Sequence, residues 1–219
     1  MSIAKLWELE TCRPDLVLGH SFGEYAAACA SGAITPEDAF RIVQFRGQLA
    51  YEVNLKHSGL MAAINGQIDM PYIQRICRIY KVDIAVVNSP EQVIISGEYA
   101  SIENASRQIE KEGLKIIPLE TGAPFHSRYF TSKQPAFRRF LNSIPFYPPH
   151  EQLLMNATAR LETNPQKIKD CLAAQLTNPV NFPKIIRALE ATGADSDNIQ
   201  EIGNRKILTG FVRKILKRP

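Results

Sequence analysis

LVLGHSFGEYAAACASG, residues 16–32, spells out a strand, a tight turn and a helix in immediate succession. Leu16, Val17 and Leu18 are a short apolar run of the kind that makes a buried strand, and they lead straight into Gly19-His20-Ser21-Phe22-Gly23. In a GxSxG turn the glycines let the chain reverse tightly and leave the serine hydroxyl exposed at a helix N-terminus, the arrangement of a nucleophile elbow. The small residues of EYAAACA suit a closely packed helix, with Gly32 as its stop. Ser21 is therefore the candidate nucleophile, and the backbone N–H of Phe22 the candidate oxyanion donor.

Upstream, a helix is expected to end before Pro14. Downstream, Thr35 is a helix N-cap, Pro36 takes the first helical position and Asp38 stands three after the cap. The apolar face of that helix reads Ala39, Ile42, Val43, Leu49, Ala50 and Val53, and Arg46 falls on it. A guanidinium buried there without an anion would cost on the order of 3–5 kcal/mol. Two readings satisfy it: an internal partner such as Glu24 or snorkelling past a narrow core, or a bidentate clamp on a substrate carboxylate.

From about residue 58 to 121 the pattern becomes LMAAI, YIQRICRIY, VDIAVVN, QVIIS, ASIENASRQIE and KIIPLE. That is strand, helix, strand, strand, helix, strand, with a turn at Asn88-Ser89-Pro90-Glu91 and Gly113 closing the second helix, the ferredoxin-like split βαβ order. The expected architecture is thus an α/β-hydrolase-like parallel-sheet domain, residues 1–57 and 122–219, with an inserted ferredoxin-like subdomain at 58–121. After Thr121 come a loop GAPFHS, a helical stretch near 128–142, a strand LLMNA and a helix around 165–176. A turn at Asn178-Pro179-Val180, a helix from about 183, a strand IQEI and a last helix follow. About three strands are left for the larger sheet, few for a doubly wound fold.

A nucleophilic serine needs a base, and the chain has four histidines, His20, His57, His126 and His150. His20 sits beside Ser21 on the turn, which suits packing or support more than proton transfer. His57 and His150 lie in polar stretches and read as solvated. His126 lies where the small subdomain hands back to the large one, and pockets form at such junctions. Asp69, Asp83, Glu91 and Glu120 lie between Ser21 and His126 as possible orienting acids; a backbone carbonyl would serve instead.

The chain of 219 residues is 45% hydrophobic and carries a formal charge of +4. No apolar run nears the roughly 20 residues of a membrane span, and the N-terminus lacks the zones of a signal peptide, so a cytoplasmic protein is expected with no membrane partner. The mild charge, concentrated only at Arg213, Lys214, Lys217 and Arg218, comes without aromatic interleaving, and no nucleic-acid partner is expected. Cys12, Cys29, Cys77 and Cys171 are scattered without CxxC or histidine at ligand spacing, so no metal site is expected.

Taken together, VLGHSFGEYAAACASGAI, FRGQL, VVNSPEQVIISG, GAPFHS, NPVNF and EIGNRKILTGF resemble, in order, segments of the malonyl-CoA:acyl carrier protein transacylase family, which includes polyketide synthase acyltransferases. The resemblance implies that Ser21 accepts the acyl group, that His126 is its general base and later acid, and that Arg46 clamps the malonyl carboxylate. It places His20 and Phe125 against the substrate and gives the histidine-orienting backbone carbonyl to the neighbourhood of Asn181. It further implies malonyl-CoA as acyl donor, no permanently bound cofactor, and the phosphopantetheine thiol of an acyl carrier protein as acceptor. Family members carry an upstream strand and a GQG-type loop that supplies a second oxyanion donor; no such loop precedes Ser21, and Gly66-Gln67 belongs to the small subdomain. The resemblance therefore reads the chain as truncated, and one lost oxyanion donor costs about 100- to 1,000-fold in rate. Gly203-Asn204-Arg205 departs from the family's Gly-Pro-rich turn, and Phe22 is bulkier than the family's aliphatic residue. The rival expectations are an acyl hydrolase acting on carrier proteins, which has no use for Arg46, and a non-catalytic carrier-protein-binding fragment.

Overall fold

The computed structural model describes residues 14–216 apart from 196 and 204. The expected helix before Pro14, Cys12, Asn204, Lys217 and Arg218 lie outside the described residues. Strand β1 (Leu16–Leu18) runs through the elbow into helix α1 (Gly23–Ala30), and helix α2 (Pro36–His57) follows. The N-cap of α2 is as the sequence expects, with the Thr35 hydroxyl accepting from the Asp38 N–H at 3.1 Å. Its buried face carries Ile42, Arg46, Leu49, Ala50 and Val53.

Strand β2 (Gly59–Asn65), helix α3 (Met70–Tyr80), strands β3 (Asp83–Ser89) and β4 (Gln92–Glu98), helix α4 (Tyr99–Glu110) and strand β5 (Lys115–Leu119) come next. Their sheet is antiparallel in the order β5-β2-β4-β3. Alternation on each strand sends Ala62, Ile64, Val93 and Ile95 against Ile73, Ile76, Ile102 and Ile109 of the two helices, one apolar cluster under one face.

The remainder holds helix α5 (Gln134–Asn142), strands β6 (Gln152–Met155) and β7 (Arg160–Glu162), helix α6 (Pro165–Gln175), strand β8 (Val180–Asn181), and helices α7 (Phe182–Glu190) and α8 (Ile207–Leu216). The fold is α/β with mixed sheets. β1 pairs in parallel with β6, Val17 opposite Leu153, and β7 lies antiparallel on the far side of β6.

Two local expectations are corrected. Residues 199–202, IQEI, form no strand. Their alternation is used otherwise: Ile199 packs on the core, and the Glu201 carboxylate caps α8 by accepting from the N–H groups of Leu208 and Thr209 at 3.1 and 2.8 Å. Val180, expected in a turn, instead pairs in parallel with Val86, so that β8 extends the five-stranded sheet at β3. Among the described residues, no helix is long and apolar enough to cross a membrane.

Candidate active site

The turn after β1 is as tight as a chain allows. A Cβ on Gly19 would lie 2.1 Å from the Gly23 carbonyl carbon, so only glycine fits there. Ser21 sits in the left-handed region at φ 51°, a conformation that a non-glycine residue holds only when its surroundings impose it.

Those surroundings are three buried polar side chains. Asn156, just past β6, accepts the Ser21 N–H at 2.9 Å and donates to the Gly19 carbonyl at 2.6 Å. The Asn156 N–H donates in turn to Glu24 at 2.5 Å. The Gln175 amide donates to the Ser21 carbonyl at 3.1 Å and to the other oxygen of Glu24. Glu24 is fully buried, and burial pushes its carboxyl up to about 7 against the pull of the Asn156 and Gln175 hydrogen bonds.

His126 also has a positive φ, 56°, and is 2% exposed. Its loop is stapled internally, Ser127 Oγ donating to the Pro124 carbonyl. Gly59 at the start of β2 lies so close that a Cβ there would meet Pro124 at 2.2 Å. Arg128 grips Asp83 through its main-chain N–H at 2.8 Å and its guanidinium, fastening the loop to β3.

The outcome is a serine–histidine contact: His126 Nε2 lies 2.6 Å from Ser21 Oγ, and Nδ1 lies 2.9 Å from the Gln175 carbonyl. A carbonyl only accepts, so Nδ1 carries the proton and Nε2 presents its lone pair to the serine. Burial, and next the Arg46 charge, pull the His126 imidazole down to about 4, with the Gln175 carbonyl opposing, so the ring is neutral at pH 7.

The orienting carbonyl is thus Gln175's and not Asn181's. Asn181 is spent on capping α7, its side chain accepting the Lys184 N–H at 3.0 Å. None of the four acids fills the role: Asp69 caps α3, Asp83 holds Arg128, Glu91 pairs with Lys214, and no hydrogen bond joins Glu120 to His126 among the described residues. His57 is not simply solvated, being half-buried against Tyr129 with Nδ1 3.1 Å from Glu98. His20 stands edge-on to Phe182, with Nε2 2.8 Å from the Asn88 side-chain oxygen.

Arg46 is 5% exposed, and its guanidinium carbon lies 4.4, 5.7 and 5.8 Å from the ring centres of Phe125, Phe22 and Tyr25. Among the described residues no carboxylate lies within ion-pair distance of it, and its Nε has no hydrogen-bond partner. Glu24, the internal candidate, belongs to Asn156 and Gln175 instead. Arg46 is therefore an uncompensated cation caged by the neighbours of both Ser21 and His126. The Phe22 N–H at the start of α1 has no acceptor among the described residues and is available to an oxyanion.

The acyl transferase domain model matches residues 1–200. The chain belongs to the acyl transferase family. It is 32% identical over 220 residues to the malonyl CoA-acyl carrier protein transacylase of Staphylococcus aureus (strain MRSA252), covering 98% of this chain and 70% of that one. Among solved structures it resembles the acyl carrier protein S-malonyltransferase of Vibrio cholerae O1, with a TM-score of 0.88 at 29% identity over 98% of this chain and 72% of that one. It also resembles PlMCAT:AntF, a type II PKS acyl-carrier protein in complex with its malonyl-transacylase, with a TM-score of 0.89 at 29% identity, covering 98% and 71% of the two chains. In this member of the family, the residues that reading the sequence missed are Asn156 and Gln175. Asn156 sits at the C-terminal end of a parallel strand, where α/β proteins place their sites. Gln175 continues the apolar face Ile168, Cys171, Leu172 of α6, the same signal that Arg46 gives on α2.

Proposed function

We propose that this acyltransferase moves a malonyl group from coenzyme A to the phosphopantetheine thiol of an acyl carrier protein through an acyl ester on Ser21. The observation that carries the reading is Arg46, a buried guanidinium without an internal anion beside a formed serine–histidine pair. A malonyl thioester supplies both the carboxylate that Arg46 lacks and the carbonyl that Ser21 attacks.

In this reading His126 Nε2 takes the Ser21 proton as Oγ adds to the thioester carbonyl, and the oxyanion is received by the Phe22 N–H. The C–S bond then breaks and His126 returns the proton to the leaving thiolate. The carrier-protein thiol repeats the sequence in reverse, with His126 taking its proton and giving it to Ser21. Malonyl-CoA is the donor and no permanently bound cofactor enters the cycle. Phe125, stacked on Phe130 and lying under Arg46, shapes the acyl pocket. The order β5-β2-β4-β3 supports a ferredoxin-like unit at 58–121 inserted into an α/β-hydrolase-like core at 1–57 and 122–219, and a cytoplasmic setting belongs to the same reading.

Intact-mass spectrometry of the chain after brief exposure to malonyl-CoA tests this directly. A malonyl adduct on the wild type, absent from Ser21→Ala and discharged to carrier protein, is expected. Discharge to water alone would make the protein a hydrolase, and a folded chain that takes no adduct would overturn the transferase reading.

A further inference from the structure

Two histidines flank Ser21, and the structure treats them differently. The second, His20, ends a line of side-chain amides that crosses the five-stranded sheet. His20 Nε2 lies 2.8 Å from Asn88 Oδ1, Asn88 Nδ2 donates to Gln92 Oε1 at 2.7 Å, and Gln92 Nε2 donates to Asn65 Oδ1 at 2.6 Å. The line finishes on the main chain, with Asn65 Nδ2 3.4 Å from the Ala63 carbonyl.

The backbone builds this line. Asn65 and Gln92 are direct cross-strand partners on β2 and β4. Asn88 falls where the pairing of β3 with β4 slips between Val87 and Ser89, and such a bulge re-aims a side chain. Here it turns Asn88, 3% exposed, onto His20.

An amide has one donor end and one acceptor end, so a line of amides has a direction set by its terminus. The Ala63 carbonyl only accepts, and it takes the NH2 of Asn65. Asn65 then offers oxygen to Gln92, Gln92 offers oxygen to Asn88, and Asn88 offers oxygen to His20. The reversed line would set the Asn65 oxygen against the Ala63 oxygen.

We propose that the Asn88–Gln92–Asn65 line fixes a proton on His20 Nε2 and commits that nitrogen to Asn88, so that His20 braces the nucleophile turn while the Ser21 hydroxyl is left to His126. The proposal rests on the acyltransferase reading of the site. His126 is prepared in the opposite sense by the same device, since the Gln175 carbonyl fixes its proton on Nδ1 and bares Nε2 toward Ser21. Asn88 is thus a positioning residue that selects the tautomer of its neighbour, and it anchors the five-stranded sheet to the nucleophile turn. Burial keeps His20 below its usual basicity, the Asn88 hydrogen bond opposing, so the ring remains neutral and the tautomer matters.

Long-range 1H–15N correlation spectra of the 15N-labelled full chain read the tautomer of each histidine ring, with His20→Ala assigning the signals. Wild-type His20 is expected as the Nε2–H form. Asn88→Leu should abolish that pure form and lower kcat/KM for Ser21 malonylation about tenfold, the effect of one positioning hydrogen bond. The isosteric Asn88→Asp should retain the Nε2 proton and add a second at neutral pH, a change that a packing role would not produce. The His57 and His150 signals report that each variant is folded. A wild-type His20 in the Nδ1–H form, or an Asn88→Asp ring that titrates as the wild type does, overturns the proposal. A wild type that shows the Nε2–H form but takes no malonyl would instead count against the transferase reading alone.

Discussion

The Gln175 carbonyl accepts from His126 Nδ1 at 2.9 Å while the side chain of the same glutamine donates to the Ser21 carbonyl at 3.1 Å. One residue at the end of α6 therefore ties His126 to Ser21, from its main chain on one side and its side chain on the other. The two functions separate on substitution, because the carbonyl survives any change of side chain.

Gln175→Leu keeps the His126 bond but strips the Ser21 carbonyl and Glu24 of a donor inside the core. The Ser21 carbonyl keeps the Glu24 N–H at 3.0 Å, but the second Glu24 oxygen is left without a donor, and a buried acceptor in that state costs about 1–3 kcal/mol. The variant should unfold at a lower temperature, retain a neutral His126, and malonylate Ser21 at least tenfold more slowly as the left-handed elbow loosens. Thermal unfolding and single-turnover mass spectrometry measure the two effects. Unchanged turnover would show that the elbow holds without this amide.

The pH dependence should identify His126 as the base and Arg46 as its neighbour. With the imidazole near 4, kcat/KM falls only at the acid end, since protonation there removes the lone pair facing Ser21. Removing a positive neighbour makes protonation easier, so Arg46→Ala should move the acid limb upward. Binding of a malonyl carboxylate to Arg46 acts in the same direction, placing the limb of kcat above that of kcat/KM. Acetyl-CoA is the substrate for comparing wild type and Arg46→Ala, because it needs no clamp. An acid limb that ignores Arg46 would refute the coupling.

Ser21 and Arg46 were legible because each breaks a local pattern, and Phe22 and His126 followed from them, one as the residue after the serine and the other as the histidine at the subdomain junction. The serine lies between a strand and a helix on glycines, and the arginine lies on an apolar helix face. Gln175 breaks the pattern of α6 in the same way, three after Leu172, and was readable by the same rule. Its contact with His126 was not readable, because a main-chain carbonyl has no residue identity, and the family resemblance pointed instead to Asn181, six residues on. The four strands and two helices of residues 59–119 followed from alternation and helical spacing, since both faces of that pattern are set by burial. IQEI alternates as a strand does, yet Glu201 is engaged in capping a helix. The two-residue strand β8 is too short for any periodicity to reveal.

Glu24 and His126 give stability opposite slopes with pH. Glu24 is raised from 4.5 to about 7, so its contribution is full below 4.5 and is lost as pH climbs through 7. His126 is lowered from 6.5 to about 4, so stability falls as pH drops through that interval. Between 4.5 and 6.5 the two largely cancel. Glu24→Gln removes the first slope, and the gap between wild type and variant should change by roughly 3 kcal/mol in the variant's favour between pH 4.5 and 8. Urea unfolding at the two pH values measures it, and a constant gap would mean that Glu24 titrates as an ordinary carboxyl.

Gly59 offers a test of the site from a position that touches neither substrate nor nucleophile. A methyl group there would meet the rigid ring of Pro124, two residues before His126, at 2.2 Å. Both sides are constrained: β2 is held by β4 and β5, and the loop by Ser127 on Pro124 and Arg128 on Asp83. The shift must therefore reach His126, whose hydrogen bond to Ser21 depends on a φ of 56°. Displacing a catalytic group by about 1 Å costs on the order of 100-fold. Gly59→Ala should accordingly lower kcat far more than it raises KM, and a variant with normal kcat would show that the loop yields to Pro124 without carrying His126 along.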